Sequence, residues 1–274
     1  VQINLLVGRQ VASFYDGAVA WLSYADRLYQ LPLGVVGIAI GVVLLPDLSR
    51  RLKAGDTAGS QSTLSRAAEV SLALTIPSSV ALVVIPMTLA SVLFERGATT
   101  VDDTAAIATA VMIYGLGLPA FVLQKILQPL YFAREDTRRP FHFAVAAMVI
   151  NAGLAIGLAP VVGWLSPAIA ATAAGWAMFA MLAVGARRYG DAAKFDARFR
   201  KRIWRIIAAS LIMGAALWFF DLQLGAMLAL SGWRGLGLLI LIIIGAVAYF
   251  GSGQLIGAFR LSEFRSALRR SPKS

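Results

Sequence analysis

Apolar runs of about twenty residues recur from one end of this chain to the other, and no other feature narrows its fold so far. An α-helix needs about 20 apolar residues to cross the roughly 30 Å hydrocarbon layer of a bilayer. Such runs cover residues 17–46, 64–94, 104–132, 141–162, 164–185, 203–220 and 235–257. Residues 1–14 make a shorter run, expected to be the back part of a helix that starts before Val1. The runs are continuous rather than alternating, so membrane β-strands of about ten residues do not fit. With 59% hydrophobic and 14% charged residues, the chain lacks the polar surface of a soluble domain, which carries about 25% charged residues. The expected fold is all-α, a polytopic integral membrane helix bundle. Runs longer than one crossing imply tilt, kinks or helix ends that stand out of the bilayer.

The charges between the runs set an orientation. Arg50, Arg51, Lys53 and Arg66 belong to one connection, and Arg134, Arg138 and Arg139 to the next but one. Eight more lie from Arg187 to Arg205, and five from Arg260 to the end, so 20 of the 25 Lys and Arg fall on alternate connections. The opposite connections hold Arg96 and Arg234 against Asp16, Glu95, Asp102, Asp103 and Asp221. Basic connections stay on the cytoplasmic side, which puts the C-terminus inside. Trp164, Trp204, Trp218, Trp233 and Tyr131 fall near run ends, as interfacial anchors do. The net charge of +11 is therefore explained by topology and gives no reason to expect nucleic acid. The basic stretch 187–205 has two readings, a solvated loop or a segment lying on anionic lipid.

Catalytic and metal chemistry find little material. There is no cysteine, which removes disulfides, thiolate zinc sites and Cys nucleophiles. His142 is the one histidine, expected at the membrane interface. No carboxylate pair, nucleophile with a base, or phosphate loop is visible. The acids within the runs are essentially Asp26, with Glu69 near an end. No cofactor is expected.

The polar residues of the run 17–46 stand out instead. Asp26 and Arg27 lie about ten residues, roughly 15 Å, into it, where a charge costs about 2.5–3.5 kcal/mol on insertion scales. Sequence neighbours point about 100° apart on a helix and do not meet face to face. Ser23, Arg27, Gln30 and Gly34 share one stripe by three- and four-residue spacing, with Tyr24 beside it. One reading is an anion site, since the guanidinium fork matches phosphate oxygens. The other is a structural ion pair with an acid elsewhere in the bundle. Pro32 and Gly34 make the same helix bendable, and the Gly37/Gly41 spacing permits close packing. A second expected hinge runs through Gly115, Gly117 and Pro119, and Pro77 and Pro86 are expected to kink the run 64–94. Lys125 either snorkels to the interface or faces a cavity, and Arg9 can snorkel too. Asn151 reads as interhelical glue.

Two motifs carry a resemblance. The run YADRLYQLPLGVVGIAIGVVLLPDLS, from Tyr24 to Ser49, and the stretch from Lys125 through QPLYFAREDTRRP resemble the MurJ/MviN family. These are the lipid II flippases of bacterial cell-wall synthesis, within the multidrug/oligosaccharidyl-lipid/polysaccharide exporter superfamily. The likeness covers the whole chain and weakens after about Pro160. It implies fourteen helices in two lobes working by alternating access, with this chain as the second lobe and two additional C-terminal helices. Residues 1–186 would be the partial seventh helix and the rest of that lobe. Residues 187–202 would be a basic cytoplasmic linker, 203–258 the last two helices forming a lipid-tail groove, and 259–274 a cytoplasmic basic tail.

The resemblance also implies that Arg27, the arginine of the ADR motif, engages the diphosphate, with Lys125 matching a family lysine and Ser23, Tyr24, Asp26 and Gln30 around it. Some members carry an acid where Gln30 stands. The sodium site reported for some members is not placed residue by residue on this chain, so metal ligands and coupling ion are unassigned. Implied partners are lipid II (an undecaprenyl-diphosphate-linked disaccharide peptide), membrane lipids and the first lobe of the same protein, in the bacterial cytoplasmic (inner) membrane. The alternatives are a flippase for another polyprenyl-diphosphate sugar, an exporter of small cations, a membrane enzyme acting on polyprenyl phosphates, or a non-transporting scaffold for cell-wall enzymes.

Overall fold

The computed structural model describes residues 2–39, 44–97, 99–229 and 233–258, all helix, turn or short connection, with no strand among them. Helix α1 spans Gln2–Ala12 and α2 spans Ala18–Ala39, with Gly17 at φ +79° in the turn between them. Helix α3, Leu45–Lys53, is short and basic at its end. Part of the long run 17–46, Gly41 included, lies outside the described residues. Helix α4, Thr57–Val84, starts seven residues before the apolar run because Asp56 caps it, accepting from the Gly59 amide at 2.8 Å. Pro77 is accommodated inside α4. Pro86, in contrast, ends the helix: Ile85 leaves helical geometry (φ −122°, ψ 43°) and α5 runs separately over Pro86–Phe94.

Helix α6, Val101–Phe132, opens with a capping box in which Thr100 and Asp103 satisfy each other's backbone amides. This arrangement fixes a helix start against fraying. Helix α7, Arg138–Val162, and α8, Ser166–Ala186, are joined by a 3₁₀ turn over Gly163–Leu165, where Gly163 takes φ +60°. A 3₁₀ segment, Arg187–Ala193, leads to α9, Ala197–Ala229, and then α10, Arg234–Ile256. The stretch 187–202, expected as a linker, is therefore structured throughout most of its length. Asp196 explains the early start of α9, since its carboxylate accepts from the Phe199 amide at 2.6 Å. Because α9 continues to Ala229, Trp218 sits well inside that helix rather than at an end.

Helix α6 is the axle of the bundle and packs against α2, α4, α5 and α8. More than half of its apolar stretch is buried, 56% against 17% for the α7–α8 stretch. Its small residues permit this. A Cβ on Gly115 would lie 2.9 Å from the Leu82 Cβ, and one on Gly117 would lie 2.9 Å from the Thr172 hydroxyl. Helices α9 and α10 form a hairpin docked on α4, and α1 lies against α7 and α8. Five helical stretches are long and apolar enough to cross a membrane, one of them holding α7 and α8 in succession. Helix α2 is not among them, as its Asp26, Arg27 and Gln30 lower its hydropathy. Large apolar side chains such as Val149 and Leu211 are 63% and 60% exposed, the surface expected of a protein whose solvent is lipid.

The ion pairs among the described residues gather at the two ends. At the acidic end, Trp21 donates to Asp103 at 2.7 Å and stacks edge-on with Trp164. There Arg234 pairs with Glu95 at 3.0 Å, and Thr88 donates to Asp221. At the basic end, Asp47 accepts from Thr63 and pairs with Arg51 at 3.0 Å. The Thr63 hydroxyl and the Arg51 guanidinium hold the Asp47 carboxyl below the usual range. Tyr131, expected as an interfacial anchor, is instead fully buried and donates to the Leu182 carbonyl at 2.6 Å.

Candidate functional site

The polar residues of α2 do not point one way. Ser23 is spent on its own helix, donating to the Val19 carbonyl at 2.6 Å, as serines in apolar helices commonly do. Tyr24 turns toward α5 and stacks on Phe94 with ring centroids 4.8 Å apart. Asp26 accepts a hydrogen bond from Gln30, with Tyr29 and the charge of Arg9 nearby. Tyr29 in turn packs against Tyr114 and Phe121 of α6, at 5.0 and 5.6 Å. Asp26 therefore belongs to a cluster between α1, α2 and α6 and does not neutralise its neighbour.

Arg27 faces the other way. It is exposed, and among the described residues no carboxylate lies within ion-pair distance of it and no hydrogen bond engages it. The structural ion pair that the sequence left open is not made among the described residues. Gln30 and Gly34 are exposed on the same face, and a Cβ placed on Gly34 would meet nothing within 4 Å. That glycine is not a packing device inside this bundle; it keeps the face of α2 low.

Lys125 reaches α2 from α6. Its Nζ lies 3.1 Å from where a Cβ on Gly37 would stand, so Gly37 makes room for an ammonium and its stem. Gly37 is ten residues beyond Arg27, about 15 Å along the helix. Lys125 is also exposed and has no carboxylate partner among the described residues. Two cations thus stand along α2 at different depths, with no acid paired to either among the described residues.

The expected hinges divide. Pro32 leaves the Leu28 carbonyl without its helical donor, yet α2 runs through it. Gly115 and Gly117 are buried, and α6 is unbroken through Pro119, so close packing accounts for both glycines in this conformation. Sequence reasoning missed the role of the motif after Lys125. Asp136 takes a hydrogen bond from Tyr189 at 2.7 Å and pairs with Arg139 at 2.9 Å. Arg134 lies over the Tyr189 ring at 4.5 Å. That stretch locks a turn rather than lining the open face. No cluster of three or more His, Cys, Asp or Glu that could hold a metal occurs among the described residues.

Comparison with known proteins places the chain. The model of the family described as lipid II flippase MurJ matches residues 1–232. A probable lipid II flippase MurJ of Rhizobium tropici is 40% identical over 274 residues, taking in 98% of this chain and 51% of that protein. Its counterpart in Rhizobium meliloti (strain 1021) is 41% identical over 279 residues, again 98% and 51%. A solved structure described as lipid II flippase MurJ, inward closed conformation, superimposes with a TM-score of 0.77 at 27% identity. It covers 98% of this chain and 52% of that one. The chain spans about half the length of the curated relatives it matches.

Proposed function

Since this chain belongs to the lipid II flippase MurJ family, we propose that it forms one lobe of a flippase carrying lipid II from the cytoplasmic to the periplasmic leaflet of the inner membrane. The observation that carries this reading is Arg27: exposed, with no acid beside it among the described residues, on a face of α2 kept low by Gly34. A guanidinium in that position offsets the cost of dehydrating a diphosphate. Lys125, deeper toward the basic end, offers the same anion a second cation. Gln30 and Ser23 flank the arginine, Tyr24 braces its helix, and Asp26 orients Gln30 from behind.

The polyprenyl tail can remain in lipid throughout, with the α9–α10 hairpin offering it a groove. Only the anionic sugar–peptide head needs a polar route. Bending at Pro32 and along Gly115, Gly117 and Pro119 opens that route to alternate sides. No bond is made or broken, so the protein acts as a transporter. The first lobe comes from the rest of the protein, and the basic connections with the C-terminus face the cytoplasm.

The test is complementation of flippase-depleted bacteria by the full-length parent carrying Arg27→Ala, with membrane insertion checked. Loss of growth at normal membrane levels supports an anion-binding arginine. Full growth makes Arg27 dispensable and removes the site from this reading.

A further inference from the structure

The first turns of α9 divide their positive charge between Glu69 and the exposed surface. Arg202, its side chain 15% exposed, and Arg198, 55% exposed, share Glu69 of α4, Arg202 in a close hydrogen-bonded pair and Arg198 at 3.6 Å. Arg200, Lys201 and Arg205 are exposed, with no carboxylate within ion-pair distance among the described residues. Arg205 donates a hydrogen bond to the Gly257 carbonyl at 3.1 Å. Asp196, the nearest acid in sequence, is occupied as the helix cap. At the centre of the three cations stands Trp204, 71% exposed.

The same face continues without charge. Leu211 and Trp218, at seven-residue intervals from Trp204, are 60% and 59% exposed. At 1.5 Å per residue they lie about 10 and 20 Å farther along α9, which is roughly one leaflet of hydrocarbon. An indole at the head of an apolar stripe belongs at the level of lipid headgroups. Three cations around it would repel one another unless anions sit among them.

We propose that this face of α9 is a binding site for an anionic glycerophospholipid of the leaflet on the basic side of the protein. Arg200, Lys201 and Arg205 hold the phosphate headgroup, Trp204 lies at the glycerol level, and the acyl chains follow Leu211 and Trp218. The site is separate from the open face of α2 and independent of what that face carries. Its lipid sits directly behind the Arg202–Glu69 contact, so occupancy also fixes the depth of the α9–α10 hairpin against α4.

The test uses the full-length parent protein in detergent, with phosphatidylglycerol or phosphatidylcholine added separately and retained lipid counted by native mass spectrometry. The Arg200→Gln, Lys201→Gln double variant should lose phosphatidylglycerol retention by about tenfold or more, with phosphatidylcholine unchanged. The charge-preserving exchange Arg200→Lys, Lys201→Arg should retain it. Equal phosphatidylglycerol retention in the Gln variant would overturn the proposal. So would an equal loss of both lipids, or the same loss in the charge-preserving exchange.

Discussion

Tyr189 donates its phenolic proton to Asp136 at 2.7 Å across 53 residues of sequence, tying the connector after α8 to the turn between α6 and α7. Glu135 beside it takes φ +58°, a left-handed conformation costly for a non-glycine residue, and the clamp holds the turn in place. Tyr189→Phe should lower stability by about 1 kcal/mol, the net worth of one such bond. Asp136→Asn should cost more, because Arg139 loses its partner too. Thermal unfolding of the full-length parent in detergent measures both, and equal stability of all three forms would show that the turn needs no clamp.

The same bond fixes a pH dependence. The Tyr189 hydroxyl, backed by the Arg139 amide and guanidinium, holds the Asp136 carboxyl below the usual range. A carboxyl depressed in the folded state adds stability above its unfolded value, about 3.9. That contribution fades as the pH falls through the lower folded value. The stability gap between wild type and Asp136→Asn should therefore be constant from neutral pH down to about 5, and should close only below about 4. A gap that closes near neutrality would assign the effect to another group.

Glu69 should be the contact that docks the α9–α10 hairpin at the basic end. Its side chain and that of Arg202 are 12% and 15% exposed, so removing one leaves the other poorly solvated. Glu69→Gln should cost about 2–3 kcal/mol, toward the lower side of values for broken buried pairs. Limited trypsin digestion should then cut sooner within 187–205. The double replacement Glu69→Leu, Arg202→Met removes both charges and should recover most of the loss. If it does not, docking depends on Arg198 or on the fold of the connector.

The helices were legible in the sequence because continuous hydrophobicity does not depend on partners. Their ends were less so. Asp56 and Asp196 extend α4 and α9 beyond the apolar runs through single hydrogen bonds, which a hydropathy window averages away. The Glu69–Arg202 pair spans 133 residues, and no local spacing announces it. Arg27 was found as a misplaced charge, but whether an acid answered it depended on how every other helix packs. Tyr131 reads as an interfacial aromatic by position, yet its hydroxyl has a buried carbonyl to meet, and that removes it from the surface.

Two glycines separate packing from transport. Gly115 has the Leu82 Cβ 2.9 Å from any added methyl, and a Cβ has no rotamer by which to move aside. Gly115→Ala should therefore force α6 from α4 and cost about 1–3 kcal/mol, with transport falling at least as far as the folded protein falls. Gly34 has open space around it, and alanine in place of glycine inside a helix stabilises by about 0.5–1 kcal/mol. Gly34→Ala should leave stability equal or slightly raised and growth normal in the complementation assay. Gly34→Leu should keep stability but fill the low face next to Arg27, and growth should fall. Normal growth with Gly34→Leu would mean that the open face of α2 does not carry the substrate, whatever the role of Arg27.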